Sequence, residues 1–296
     1  MQRITSIGEI LYDVYPTRKT PGGASFNFIY HIIKLTGEGH FVSRVGQDGE
    51  GADIINFLKT NNIPTDFIQV DNQHPTGESK ATLNDMKIPS WKIKTGTAYD
   101  YVELNNKVES LIRDDTGCIY YGTLAQRNSI TRNTVQHFFN RELKYFCDLN
   151  IRQNFYTREL IYDCITAANV LKLNIEELHL VSQLLLSRSY DTEETPGRLL
   201  DMFKIDQLCV TYGEKGAIIY EGDKKNNFRV KVENVVDTVG AGDAYASILC
   251  LGYLKGWNIE KTNETASKFA GEIVRINGAL PEGSAIYDKY IELINE

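Results

Sequence analysis

The chain has 296 residues, 42% of them hydrophobic and 24% charged, with only seven prolines. This is a globular composition with room for one large α/β domain and an appendage. A formal charge of −7 excludes a protein that coats nucleic acid or an anionic membrane, though not a local basic pocket for a phosphorylated ligand. In chain order, Ile4-Thr-Ser-Ile7 reads as a short strand ending at Gly8, and Met1–Gly8 lacks the apolar core of a signal peptide. Residues 26–35 carry apolar side chains at helical spacing, stopped by Gly37 and Gly39. His40–Gly46 reads as the next strand and Ala52–Thr60 as a helix closed by Asn61-Asn62.

From Cys118 the alternation becomes regular. Strand-like runs lie at Cys118–Tyr121, Tyr145–Asp148, Val170–Asn174, Gln207–Thr211 and Ala217–Tyr220, with helical patterns between most of them. Strand, helix, strand at this spacing predicts a mainly parallel, doubly wound α/β sheet flanked by helices. Residues 76–101 break the rhythm by alternating polar and apolar with period two, the pattern of solvent-facing antiparallel strands. With residues 10–21 they predict a small β-sheet over the main body, a lid on a single domain spanning 1–296. An exposed lid sheet makes a homodimer through it a reasonable expectation. No run approaches the ~20 apolar residues of a membrane span. Five scattered cysteines (Cys118, Cys147, Cys164, Cys209, Cys250) and five histidines (His31, His40, His74, His137, His179) form no metal-spaced cluster. Buried thiols in a cytoplasmic protein are expected. Asp191-Thr-Glu-Glu194 reads as a solvated loop.

The chemistry concentrates in Asp237-Thr-Val-Gly-Ala-Gly-Asp243, which leads into a helical pattern from Ala244 to Lys255. Gly240-Ala-Gly242 sits where a loop becomes a helix N-terminus, so free amides and the helix dipole converge on an anion site. Asp243 lies in the first turn beside it. A carboxylate next to a phosphate is awkward for binding alone. It suits a general base that takes a proton from an attacking hydroxyl, or it merely complements the dipole; local physics leaves the two even.

This segment resembles the C-terminal signature of the ribokinase-like (PfkB) carbohydrate kinases, through Asp237, Thr238, Gly240, Ala241, Gly242 and Asp243. The resemblance implies that Asp243 is the base and that the 240–243 amides form the anion hole for the transferring phosphoryl group. Gly8-Glu-Ile-Leu-Tyr-Asp13 and Gly22-Gly-Ala-Ser-Phe-Asn27 resemble the family's sugar-binding strand and its Gly-Gly signature, which implies sugar contacts at Asp13, Gly23 and Asn27. A carboxylate and an amide supply the acceptors and donors that a polyol needs. Val45-Gly-Gln-Asp-Gly-Glu-Gly51 fits the family's Gly-x-Asp-x-x-Gly element. Asp148-Leu-Asn-Ile-Arg152 resembles a strand-end element of relatives and offers Arg152 to a phosphate or the sugar. Asn174-x-x-Glu177 resembles the element that organises magnesium and phosphate, Glu177 acting through water. Thr211-Tyr-Gly213-Glu-Lys-Gly216 resembles the nucleotide-side turn. Gly278-Ala279 resembles a late turn which, with Asp237 and Thr238, implies a potassium site.

Each element taken singly also arises as an ordinary turn or helix cap; their order over nearly the whole chain is what makes them specific. Ser25, Phe26, Ile29 and Ile248 depart from the family pattern. Glu9 and the lid segments Pro75–Gly77, Ile88–Ile93 and Thr97–Asp100 are closer to fructokinases than to ribokinases, and Trp91 faces either the cleft or ordinary lid packing. The resemblance thus implies an ATP- and magnesium-dependent sugar kinase. Fructose leads as substrate, with ribose or 2-keto-3-deoxygluconate as alternatives. A non-catalytic sugar or nucleotide sensor is the reading from another class. A dehydrogenase would need Gly-x-Gly-x-x-Gly after the first strand, and Gly8-Glu-Ile does not supply it.

Overall fold

Near-continuous apolar runs make strands buried on both faces, and they dominate this molecule. The computed structural model describes residues 3–83, 89–139, 141–186, 191 and 194–295. The first half contains strands β1 (Ile4–Ile7), β2 (Leu11–Val14) and β3 (Lys19–Gly22), helix α1 (Ala24–Thr36), strand β4 (His40–Gly46) and helix α2 (Gly49–Thr60). It continues with β5 (Ile68–Asp71), β6 (Gly77–Leu83), β7 (Pro89–Ile93), α3 (Asn106–Asp115), β8 (Cys118–Tyr121) and α4 (Ser129–Gln136). The second half runs β9 (Lys144–Asp148), α5 (Arg158–Ala167), β10 (Val170–Asn174), α6 (Ile175–Leu186), α7 (Glu194–Phe203) and β11 (Gln207–Thr211). It closes with β12 (Ala217–Glu221), β13 (Lys224–Phe228), α8 (Ala241–Leu254), α9 (Ile259–Ile273) and α10 (Ala285–Asn295).

Nine strands form one sheet in the order β13-β12-β11-β10-β9-β8-β1-β4-β5. All neighbours are parallel except β11–β12 and β12–β13, which are antiparallel. One apolar cluster joins α1, α2 and α8–α10 to the sheet, with Phe26, Ile29 and Ile248 fully buried. A second joins α3–α7 to the other face through residues such as Leu111, Val135, Ile161 and Leu199. The chain runs outward from β1 in both directions, so β1 marks the point where strand order reverses. Ligand crevices form at the carboxyl ends of strands at such a point.

A second sheet has the order β3-β2-β6-β7. The hairpins β2–β3 and β6–β7 are antiparallel, and β2 pairs β6 in parallel, Leu11 opposite Gly77. Residues 98–101 do not extend it: Ala98–Tyr101 is a short 3₁₀ turn capped by Thr97 and Asp100, with Tyr99 fully buried. Residues 84–88 of the expected lid, and Thr192 and Glu193 of the expected solvated loop, lie outside the described residues. Among the described residues, no helix is long and apolar enough to cross a membrane.

Candidate active site

A cavity of about 370 Å³ opens between the small sheet and the carboxyl ends of the large one. Alternation along the small sheet sends Leu11, Asp13, Ser79, Trp91 and Ile93 to the cavity. Trp91 therefore faces the cleft. The strand ends below supply Asp148, Asn150, Arg152, Lys172, Asn174, Glu177 and Thr211, while Gly23, Asn27, Thr238, Gly240, Gly242 and Asp243 complete the wall. Asp237, in the loop before α8, and Ala241, the first residue of α8, stand just outside it. Gly213 and Gly216 do not line the cavity; they shape the turn after β11, where Gly213 has φ +60° and Gly216 φ +95°.

Helix α8 begins at Ala241, three residues before the sequence pattern suggests, with Gly240 as N-cap in the left-handed region at φ 78°. A β-carbon on Gly240 would lie 2.3 Å from Cβ of Ala279, so the late turn presses directly on the loop. Asp243 occupies the first turn. Its Oδ2 accepts from Asn27 Nδ2 at 2.7 Å, which bridges α8 to α1. Burial pushes the Asp243 carboxyl up to about 7, against the Asn27 bond and the Lys172 and Arg152 charges that favour ionisation. Asn27 Oδ1 has no partner among the described groups. Burial likewise lifts Asp13 to about 7, with Arg152 opposing and Asp237 reinforcing the shift.

Between these groups lies a buried pair, Asp148 and Lys172. Lys172 Nζ donates to both oxygens of Asp148, at 2.9 and 2.8 Å, and both side chains are under a tenth exposed. Burial alone would lower the Lys172 ammonium; the Asp148 carboxylate outweighs it and holds the group above the ordinary lysine value. Nζ lies 3.6 Å from where a β-carbon of Gly242 would be, so a fixed positive charge adjoins the α8 amides. The available signal was a lysine inside the apolar run Val170–Asn174.

Asn174 and Glu177 form a reciprocal capping box at the start of α6: the Glu177 amide donates to Asn174 Oδ1, and the Asn174 amide to Glu177 Oε2, both at 2.8 Å. Glu177 Oε1 accepts from the Ile151 amide at 2.7 Å, so one carboxylate fixes two strand-end loops. Burial raises its pKa. Among the described residues, no group of three or more His, Cys, Asp or Glu is arranged to hold a metal. Each Glu177 oxygen keeps a spare lone pair, which fits a water-mediated hold on magnesium, an ion that retains its waters.

The Asp237 carboxylate is already engaged. Oδ1 accepts from the Val239 amide at 3.1 Å; Oδ2 accepts from the Gly278 amide at 3.0 Å and Arg18 Nη2 at 3.1 Å. Three donors, one a guanidinium, are a poor fit to a potassium ion, which needs acceptors. Asp48 of the Gly-x-Asp-x-x-Gly element caps α2 through the Gly51 amide and accepts from the Thr76 amide and hydroxyl, tying the main body to the root of β6. The departures from the family pattern also have positions. Ser25 donates through its amide and hydroxyl to the buried Glu9. Phe26 packs against Tyr30, Phe41 and Phe57. Ile29 and Ile248 belong to the core, and none of the four lines the cavity.

A family model described as pfkB family carbohydrate kinase matches residues 1–282. A nucleoside kinase from Methanocaldococcus jannaschii is 25% identical over 100% of this chain and 98% of its own length. The fructokinase of Escherichia coli is 25% identical over 84% of each chain. Among solved structures, a fructokinase from Xylella fastidiosa with bound ATP superposes with a TM-score of 0.84 at 18% identity, covering 100% of both chains.

Proposed function

The chain belongs to the pfkB family of carbohydrate kinases, and we propose that it transfers the γ-phosphoryl group of ATP to a primary hydroxyl of a neutral sugar, fructose first. The observation that carries this reading is Asp243, held 2.7 Å from Asn27 in the first turn of α8 at the cavity wall. Asp243 takes the proton of the attacking hydroxyl. The amides of residues 240–243 and the Lys172 ammonium face the charge that develops on the phosphoryl group. Asp13, the Gly23 backbone and the unpartnered Asn27 Oδ1 receive sugar hydroxyls, and Arg152 orients the ring. Asn174 and Thr211 lie toward the nucleotide, whose turn Gly213 and Gly216 shape. Magnesium supplies charge neutralisation at the nucleotide phosphates, and Glu177 would hold it through water. The small sheet closes as a lid over the bound sugar and limits ATP hydrolysis.

The case for a neutral sugar is electrostatic. The cavity is lined by four carboxylates (Asp13, Asp148, Glu177, Asp243) against two cations, Arg152 and Lys172. Lys172 is paired with Asp148, and the Arg152 charge acts on Glu9, Asp13 and Asp243. Little positive potential is left for a sugar acid such as 2-keto-3-deoxygluconate. A second reading is a nucleoside as acceptor, favoured by the apolar wall of Leu11, Trp91, Ile93 and Leu124, on which a base can stack. An ADP-release assay with magnesium and ATP decides, across fructose, ribose, 2-keto-3-deoxygluconate, adenosine and inosine. The highest kcat/KM should fall on fructose. A nucleoside in first place replaces fructose. Tight ATP binding with no turnover of any acceptor turns the protein into a sensor.

A further inference from the structure

The turn joining β2 to β3 makes a contact that the proposed chemistry does not use. Tyr15, Pro16, Thr17 and Arg18 form it, closed by the Tyr15 amide donating to the Arg18 carbonyl at 2.8 Å. From its tip, Arg18 crosses to the main body and donates to Asp237 Oδ2 at 3.1 Å. That carboxylate also takes the Val239 and Gly278 amides, so it sets the path of the loop entering α8. On its other side the Arg18 guanidinium lies 4.4 Å from the centre of the Tyr15 ring. Tyr15 meets Trp91 edge to face, with ring centres 5.2 Å apart. Trp91 lines the cavity, and its carbonyl accepts from Gln153 Nε2 at 2.8 Å.

We infer that Arg18 is a positioning residue that couples sugar occupancy to the nucleotide site. The inference rests on the kinase reading above. Trp91, Tyr15 and Arg18 ride on the small sheet; Asp237 and the 240–243 amides belong to the main body. A sugar against Trp91 seats that sheet, and the seated sheet holds the guanidinium on Asp237. The loop is then already ordered when nucleotide phosphates reach its amides, so the second ligand binds more tightly than it would alone, and by linkage the effect is reciprocal. Arginine suits the position because its planar group stacks on Tyr15 and hydrogen-bonds at the same time, which an ammonium does less well. Because the Arg18 and Asp237 side chains are 33% and 17% exposed, solvent screens the pair and the coupling is modest, about five-fold in affinity.

The test uses the full chain and measures the Kd of β,γ-imido-ATP with magnesium, with and without the sugar that gives the best turnover. In the wild type, saturating sugar should tighten the analogue about five-fold. Arg18→Ala and Tyr15→Ala should bring that ratio to within two-fold of one, leaving the Kd without sugar unchanged. Tyr15→Phe, which keeps the ring, should retain the coupling, and Arg18→Lys should fall between. If Arg18→Ala melts well below the wild type, Arg18→Gln, which keeps the stem, takes its place. An undiminished ratio in Arg18→Ala or Arg18→Gln overturns the inference. So does a wild-type ratio of one, or a loss of analogue binding in the absence of sugar, which would make Arg18 a simple binding residue. Failure of the kinase reading looks different: the wild type then turns over no acceptor at all.

Discussion

At the scale of single residues the question is what Asp243 does. A general base contributes about 10²–10⁴-fold, so Asp243→Asn should fold and lose at least about a hundredfold in kcat; turnover near wild type in a folded variant would remove the base assignment. The pH dependence follows from burial. With its carboxyl at about 7, Asp243 is largely protonated at pH 6, so kcat/KM should rise through pH 7 and then level off. Asp13 titrates in the same range, so the acid limb should be steeper than one proton, and Asp13→Asn should return it to a slope of one. The same shift bears on stability. The folded value lies above the ordinary 3.8, so the folded state holds its proton more tightly and stability falls as pH rises from about 4 to 7. Asp243→Asn should therefore melt higher than the wild type at pH 8, by on the order of 1 kcal/mol after allowance for partial solvent access, with the gap closing near pH 4. A variant that melts lower at pH 8 contradicts the buried-carboxylate picture. Asp243 itself was legible from the sequence. What it touches was not, because Asn27 lies 216 positions away and is brought in only by the packing of α1 on α8.

At the scale of elements, the site depends on how loops join strands to helices. The Gly240 position is doubly restricted, by its left-handed backbone and by Ala279 against it. Gly240→Ala should cost about 2–4 kcal/mol, part backbone strain and part overlap. Adding Ala279→Gly should restore only part of the overlap share, because Cα of residue 279 would still lie 2.6 Å from the added β-carbon; full rescue in urea midpoints would mean that neither the left-handed backbone nor that remaining overlap carries a cost. The Asp148–Lys172 pair joins the end of β9 to the middle of β10. Lys172→Met leaves a buried carboxylate uncompensated and should cost about 3–5 kcal/mol, whereas the double change with Asp148→Leu should recover most of it. If the double variant is as unstable as the single one, packing and not charge holds the two strands. Strand content was readable where apolar runs are continuous. It was missed at β5 and β13, which lie at the two edges of the sheet; Lys-Lys-Asn-Asn-Phe carries no apolar pattern, and its partner on β12 supplies the pairing. The capping box at Asn174 and Glu177 shows that a helix cap and a site element coexist in the same residues.

At the scale of the whole molecule, the two sheets make the site between them, and neither contains it alone. Period-two alternation in residues 76–101 announced the second sheet, because one of its faces meets the cleft and the other does not. Its parallel pairing of β2 with β6 was not legible, since those strands lie more than sixty positions apart, with β3, α1, β4, α2 and β5 between them in the chain. If the small sheet closes on the sugar, its aromatic residue should report the event. The chain has two tryptophans: Trp91 on the cavity wall, and Trp257, under Lys261, which packs on the cluster that joins α1, α2 and α8–α10 to the sheet. Trp257→Phe leaves Trp91 as the only tryptophan, excited at wavelengths that tyrosine does not absorb. Sugar should then change the emission along a saturating curve whose midpoint follows the KM of the same sugar, while Trp91→Phe, with Trp257 retained, should show no sugar-dependent change. The same variants should differ in leakage. Trp91→Ala removes the surface that seats the sheet, so its ATP hydrolysis in the presence of sugar should rise relative to sugar phosphorylation, whereas Trp257→Phe should keep the wild-type ratio. An emission change that survives in Trp91→Phe would place the motion near α9, and the closure of the small sheet would have to be given up.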